Sequence, residues 1–213
     1  GHKWCNFWFH VLHLNDSTGK MSKSKGEFLT VDLLERKGYD PIVYRMFCLQ
    51  SHYRRNLVFT FEGLDNAVVT YNKLMAKIAA LKESDEPIDE EAANVLRGKF
   101  KEALDNDLNT SLAMTALYDV LKYKTTDHTK LQVLGEFDYV LSLNLLSAAE
   151  ALNKKQAEEE AANADPEIDA LVAARTEAKK AKNWAEADRI RDELKARGIE
   201  IIDTPQGAKW RKV

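Results

Sequence analysis

Residues 19–26 read Gly-Lys-Met-Ser-Lys-Ser-Lys-Gly, three ammonium groups and two hydroxyls in one short run closed by glycines. Such a loop suits a ligand with several phosphate oxygens, because Lys20 and Lys23 bring mobile charge and Ser22 and Ser24 bring hydroxyls. When a carboxylate attacks the innermost phosphate of ATP, charge builds on the transferred centre and on the departing pyrophosphate. A cation that closes in at that moment stabilises the transition state selectively, and Gly19 and Gly26 supply hinges. The pattern is no P-loop, since Gly-x-x-x-x-Gly-Lys-Ser/Thr is absent, so side chains on a flexible loop would do the binding. A solvated basic loop accounts for most lysine clusters. The ordered string Lys-Met-Ser-Lys-Ser, however, arises by chance only on the order of once in ten thousand chains of this length.

A second group of side chains lies near the other end. Trp184 at a helix start offers a π face on which an RNA base can stack, and Asp188, one turn on, shares its side and can accept from a base edge. Asp203 at a hairpin turn is another acceptor, while Lys179, Lys180, Lys182 and Arg211 reach phosphates or base acceptors. The competing readings are a Trp184 packed between helix and hairpin, and two aspartates that are ordinary helix and turn acids. Asp40, Arg45, His52, Arg54 and Arg55 form a third polar group, open to contact with RNA or with neighbours of the lysine loop, or equally to buried ion pairing of Asp40 with Arg45.

These residues need elements to hold them. Residues 4–14, dense in aromatic and β-branched types, read as a buried strand or short helix before the loop, ending at the turn formers of 15–19. Thr30 caps a short helix through Arg36, and Asp40-Pro41 opens the next. Apolar residues at three- and four-residue intervals then mark four helices. The first is 62–81 (Leu64, Ala67, Val68, Tyr71, Leu74, Met75, Ile78 and Leu81). The second runs 92–104, and the third 112–121 after a cap at Asn109 or Thr110. The fourth is 129–152, through Leu131, Leu134, Val140, Leu141 and Leu145. Four amphipathic helices with short connections read as an antiparallel bundle. Residues 153–166 lack large apolar side chains and read as a linker in preference to a solvated helical extension. Two helices and a β-hairpin follow, with Gly198 as a stop and Pro205 and Gly207 in the turn. The fold class is mainly α, with a small α+β unit at the end.

With 213 residues and 45% hydrophobic content the chain can bury a core in one or two domains. Its net charge of -3 does not mark a general polyanion binder. Residues 166–213 nevertheless carry eleven Lys/Arg against nine Asp/Glu. Cys5 and Cys48 stand far apart, which fits packed thiols in a reducing cytosol rather than a disulfide or a zinc knuckle. No apolar run approaches the length of a membrane span, and the expectation is a soluble, cytoplasmic chain. Its start at Gly1-His2 reads as a tag remnant or a cut inside a longer protein.

Lys20-Met21-Ser22-Lys23-Ser24 resembles the signature of class I aminoacyl-tRNA synthetases, and its surroundings resemble the cysteinyl-tRNA synthetase family. "NFWFH" at 6–10 is similar to that family's Asn-Tyr-Trp-x-His, and "SHYRRNLVFTFEGLDNA" at 51–67 to its Ser-His-Tyr-Arg segment. "ALDNDLNT" at 103–110 and the terminal stretch 180–211 complete a series in the family's order. Lys25-Gly26-Glu27-Phe28 stands where the family usually has Leu-Gly-Asn-Phe, a departure in local charge.

The resemblance implies that Lys23 stabilises the activation transition state, with Lys20, Met21, Ser22 and Ser24 completing an ATP-binding loop. It implies anticodon contacts at Trp184, Asp188, Asp203 and Lys179, the last a position commonly arginine, whose planar fork lysine lacks. The partners implied are tRNA(Cys), ATP with magnesium, and cysteine, without a membrane, in a monomer. The family's upstream nucleotide-binding half, with its His-Ile-Gly-His-type signature and a zinc held by Cys, Cys, His and Glu, has no counterpart motif here, so the chain contributes no metal ligands. The expected organisation is the end of the catalytic region at 1–60 and a DALR-like tRNA-binding bundle at 61–152. A linker at 153–165 and an anticodon-binding unit at 166–213 follow. The chain is then part of a cysteine–tRNA ligase, inactive alone. The alternatives are a stand-alone tRNA-binding module without catalysis and a related ligase that joins cysteine to an amino sugar, against which residues 166–213 argue.

Overall fold

The computed structural model describes residues 2, 4–16, 19, 20, 29–162, 165–204 and 207–212. Of residues 20, 160–162, 203, 204, 207, 209, 211 and 212 it describes the backbone alone. The chain forms two compact units, Gly1–Leu152 and Asn153–Val213.

The first unit begins with an irregular stretch at 4–13. Its aromatic residues are exposed, Trp4 at 80% and Phe7 at 88%. The expected buried strand or helix at 4–14 is therefore corrected to an open segment followed by the short strand β1 (Leu14–Asp16). Aromatic and β-branched content reports suitability for a covered surface, and nothing among the described residues covers this one. β2 (Gly19–Lys20) pairs antiparallel with β1, Asn15 opposite Lys20. β3 (Leu57–Val58) pairs with β1 in parallel, Leu14 opposite Leu57.

Between these strands lie α1 (Val31–Arg36) and α2 (Pro41–Leu49). Thr30 Oγ1 accepts the Leu33 N–H at 3.1 Å, and Asp40 Oδ1 accepts that of Ile42 at 2.7 Å, with Pro41 at the first helical position. Asp40 is thus a cap. Arg45 instead donates from Nε to the Leu141 carbonyl at 2.7 Å, so the considered Asp40–Arg45 ion pair gives way to two backbone contacts.

The bundle comprises α3 (Phe61–Ala79), α4 (Glu90–Asp105), α5 (Thr110–Lys122), α6 (Asp127–Leu141) and α7 (Leu145–Ala162). The stripe read for α3 is its buried face, Leu64, Ala67, Tyr71, Leu74, Met75 and Ile78. Leu96, Phe100, Leu117, Val120, Leu134 and Phe137 join the same core, with the Phe100 and Phe137 rings stacked at 4.0 Å. Leu112 and Val140, expected in the core, are instead about half exposed. The single helix expected at 129–152 is two. Ser142 and Asn144 take left-handed φ of 51° and 57°, and the Asp138 carboxylate accepts the Leu143 and Leu145 N–H groups at 2.6 and 2.8 Å. A side chain from within α6 thus stops one helix and starts the next. α7 continues as helix through Ala162, so the expected linker at 153–165 is mostly helical extension.

In the second unit α8 (Pro166–Lys180) and α9 (Trp184–Ala196) pack on a hairpin of β4 (Ile199–Thr204) and β5 (Gly207–Lys212). Asp203 stands opposite Ala208 in its register. The core is Ile168, Val172, Ile190, Leu194 and Ile199, flanked by Leu171, Ile201, Ala208 and Trp210. No helix among the described residues is long and apolar enough to cross a membrane.

Candidate functional sites

The lysine loop leaves the three-stranded sheet at Lys20, whose backbone belongs to β2; Met21, Ser22, Lys23 and Ser24 lie outside the described residues. What can be followed is the frame on either side. Before the loop, Gly19, the first residue of β2, adopts φ 117°, a conformation closed to ordinary side chains, so this position needs glycine. After it, Leu29 packs against the core and Thr30 caps α1, whose Leu34 is fully buried. Phe59 N–H donates to the Asn15 carbonyl at 2.7 Å and Leu12 N–H to that of Tyr53 at 3.0 Å, fastening β1 to the segment around β3.

Residues 51–55 border this frame. Tyr53 lies between two rings, Phe9 at 4.4 Å and His52 at 4.7 Å, and the Arg54 guanidinium stands 5.3 Å from its centroid. His52 is bonded at both nitrogens: Nδ1 accepts the Arg54 N–H at 3.2 Å, and Nε2 faces the Asp107 carbonyl at 3.0 Å. A proton on Nε2 satisfies both contacts. The Tyr53 hydroxyl donates to Asp107 Oδ1 at 2.5 Å, and Arg54 Nε lies 2.9 Å from Oδ2. Asp107 had drawn no role from the sequence. Its signal there is only an acidic turn between two helical stripes, and its partners lie some fifty residues away. A cavity of about 470 Å³ opens beside this cluster, lined chiefly by apolar groups such as Leu14, Tyr44, Leu57, Leu104 and Leu108.

The second site is built by the turn between α8 and α9. Lys182 takes a left-handed φ of 58°, its N–H bonding the Lys179 carbonyl at 3.0 Å while Asn183 N–H bonds that of Ala178 at 2.9 Å. Those two bonds are a Schellman closure with lysine in the place glycine usually takes. Asn183 Oδ1 then accepts the Glu186 N–H at 3.3 Å and starts α9 at once. Trp184 is therefore the first residue of α9, 61% exposed. The tryptophan that packs within this unit is Trp210, whose Nε1 donates to Asp169 at 2.7 Å. Asp188 is exposed on α9 and meets Arg191 at 3.0 Å. Lys179 is half-buried in the last turn of α8, beside the Schellman closure that leads to Trp184. Asp203 is described only by its β4 backbone.

Among the described residues no three His, Cys, Asp or Glu side chains are grouped so as to hold a metal ion.

Comparison with known families follows the same division. The model for tRNA synthetases class I (C) catalytic domain matches residues 1–69, the frame of the lysine loop. The DALR domain matches 99–143 within the bundle, and the Cysteinyl-tRNA ligase anticodon binding domain matches 162–211, the unit bearing Trp184. A loop frame of the class I catalytic type joined to these modules defines a class I tRNA synthetase architecture. Similar proteins include the cysteine–tRNA ligase of Halorhodospira halophila, 39% identical over 100% of this chain and 46% of its own length. That of Novosphingobium aromaticivorans is 37% identical over 96% of this chain and 42% of its own. That of Thermococcus onnurineus is 36% identical, with coverage of 100% and 48%. The chain belongs to the cysteine–tRNA ligase family. It spans about half the length of the curated relatives it matches.

Proposed function

We propose that the chain supplies the phosphate-loop frame and the tRNA- and anticodon-binding surfaces of a ligase that activates cysteine with ATP and transfers it to tRNA(Cys). The observation that carries this reading is the match of residues 162–211 to a cysteinyl-tRNA ligase anticodon-binding domain, within which Trp184 presents its ring to solvent. In this reading residues 1–60 end the catalytic region, 61–152 form a tRNA-binding bundle and 166–213 read the anticodon.

The cysteine carboxylate attacks the α-phosphorus of ATP, the bond to the bridging oxygen breaks, and pyrophosphate leaves with the charge. Lys23 meets that charge as the loop closes, and Lys20, Met21, Ser22 and Ser24 line the nucleotide's phosphates. Magnesium travels with ATP on those same oxygens. At the other end Trp184 stacks an anticodon base, Asp188 and Asp203 accept from base edges, and Lys179 reaches an acceptor or phosphate. The ligase works in the cytoplasm as a monomer, and the 213-residue chain alone forms no adenylate.

Binding of the isolated chain to a tRNA(Cys) anticodon stem-loop tests the reading. Weak, salt-dependent affinity that falls when the anticodon is replaced is expected. Equal binding to an unrelated anticodon, or pyrophosphate exchange by the chain alone, defeats it.

A further inference from the structure

The connection between α4 and α5 holds a carboxylate that the proposed reaction leaves unused. Asp107 and the next residue, Leu108, both stand in the left-handed region, at φ 57° and 52°. Neither is glycine, and such backbone persists where its surroundings over-determine it. Here they do. The two Asp107 oxygens take the Tyr53 hydroxyl and the Arg54 guanidinium, at 2.5 and 2.9 Å, and its carbonyl faces His52 at 3.0 Å. Thr110, just beyond, donates its hydroxyl to the Ser51 carbonyl at 3.2 Å.

The segment so gripped leads straight to the sheet. The Tyr53 carbonyl accepts the Leu12 N–H, β3 follows within a few residues, and Phe59 N–H bonds Asn15 in β1. β1 in turn holds β2, which ends at Lys20.

We infer that Asp107 is a positioning residue: by holding Tyr53 and Arg54 it fixes residues 51–55, and through β3 and β1 the strand from which the lysine loop departs. The bundle thereby sets the place of the loop. Asp107 acts through these residues. As a role in activation, this rests on the phosphate-loop reading above.

Hydrogen exchange on the chain itself tests the geometry. In Asp107→Asn, which keeps the shape and removes the charge, the amides of Leu12 and Phe59, bonded to the Tyr53 and Asn15 carbonyls, lose roughly tenfold in protection, while those of α6 and α8 change less than about twofold. Tyr53→Phe gives the same local pattern, since each variant removes one of the two contacts by which Asp107 holds residues 53 and 54, the hydroxyl bond in one case and the guanidinium pair in the other. Asp119→Asn, which breaks the 2.9 Å pair with Lys99 elsewhere in the bundle, leaves the two amides unchanged. Unaltered protection at those amides in Asp107→Asn, or an even loss across the unit, overturns the inference. In the longer ligase the same variant lowers kcat for pyrophosphate exchange about tenfold with unchanged affinity for the anticodon stem-loop, and an unchanged kcat overturns it too. Absence of exchange in the unsubstituted ligase defeats the ligase reading instead, and the exchange pattern still decides the role of Asp107.

Discussion

Arg97 grips Glu136 with two parallel hydrogen bonds, Nε to Oε2 and Nη2 to Oε1, each 2.7 Å, and so fastens α4 to α6. The same guanidinium reaches Glu90 at 2.9 Å. This fork geometry is the strong form of an ion pair, although both side chains are about one-third exposed. The Arg97 hydrogen bonds hold the Glu136 carboxyl below its ordinary 4.5. A lowered carboxyl contributes stability that is present above its unfolded value and lost as pH falls through the folded one. Arg97→Gln should cost about 1 kcal/mol at neutral pH by urea unfolding. The gap from the parent protein should shrink between pH 5 and pH 3.

Tyr71 sets the opposite limit. Its hydroxyl donates to the Leu143 carbonyl at 3.0 Å inside the core. Burial, then the charges of Asp40 and Asp138, push its pKa up to about 12. A raised phenol stabilises the fold fully below its unfolded value near 10 and loses that contribution as pH rises through the folded value. Tyr71→Phe should destabilise by roughly 1–2 kcal/mol at pH 7, since the buried carbonyl loses its donor. It should also give a shallower decline in melting temperature than the parent between pH 10 and 12.

Gly63 should resist improvement. Alanine in a helix usually gains about 1 kcal/mol over glycine. A Cβ here would sit 3.0 Å from Thr60 Oγ1, the oxygen that accepts the Gly63 N–H at 2.9 Å, and 3.3 Å from the Phe47 ring. Loosening that cap costs about 0.5–2 kcal/mol. Gly63→Ala is therefore expected to be neutral or destabilising by thermal melting, and a gain of the usual size would contradict the cap geometry.

Trp184→Ala should leave folding intact, because the ring is exposed, and should weaken anticodon stem-loop binding by about 1–3 kcal/mol. Asp203→Ala should lower affinity less and relax base preference. Titration by fluorescence anisotropy at two salt concentrations separates the stacking loss from phosphate contacts, which alone change the salt slope.

In the longer ligase, Lys23→Ala should reduce kcat for pyrophosphate exchange by about 100- to 1,000-fold with a small change in KM for ATP. That split is expected of a cation engaged in the transition state. A purely KM effect would make the loop an ordinary binding element.

The helical stripes were legible because burial leaves a period in the sequence. Leu64, Tyr71, Leu74 and Ile78 fall on one face whatever packs against them. The break between α6 and α7 was not, since no glycine or proline marks it; the Asp138 carboxylate makes it from a turn away. The aromatic run at 4–14 carried composition without period, and composition does not say where its cover comes from. At the sites, the lysine loop and Trp184 were visible as local strings. Asp107 was not, because its meaning lies in Tyr53, 54 positions earlier in the chain.

The parallel pairing of Leu14 with Leu57 also has a kinetic side. β1 leaves the ribosome before β3 and meets its parallel partner only after α1 and α2 have been made. Such non-local closure is slow compared with the local helices it spans. The strand that leads into the lysine loop can thus be stitched into its sheet only once residue 59 has emerged from the ribosome's exit tunnel, well after its own synthesis.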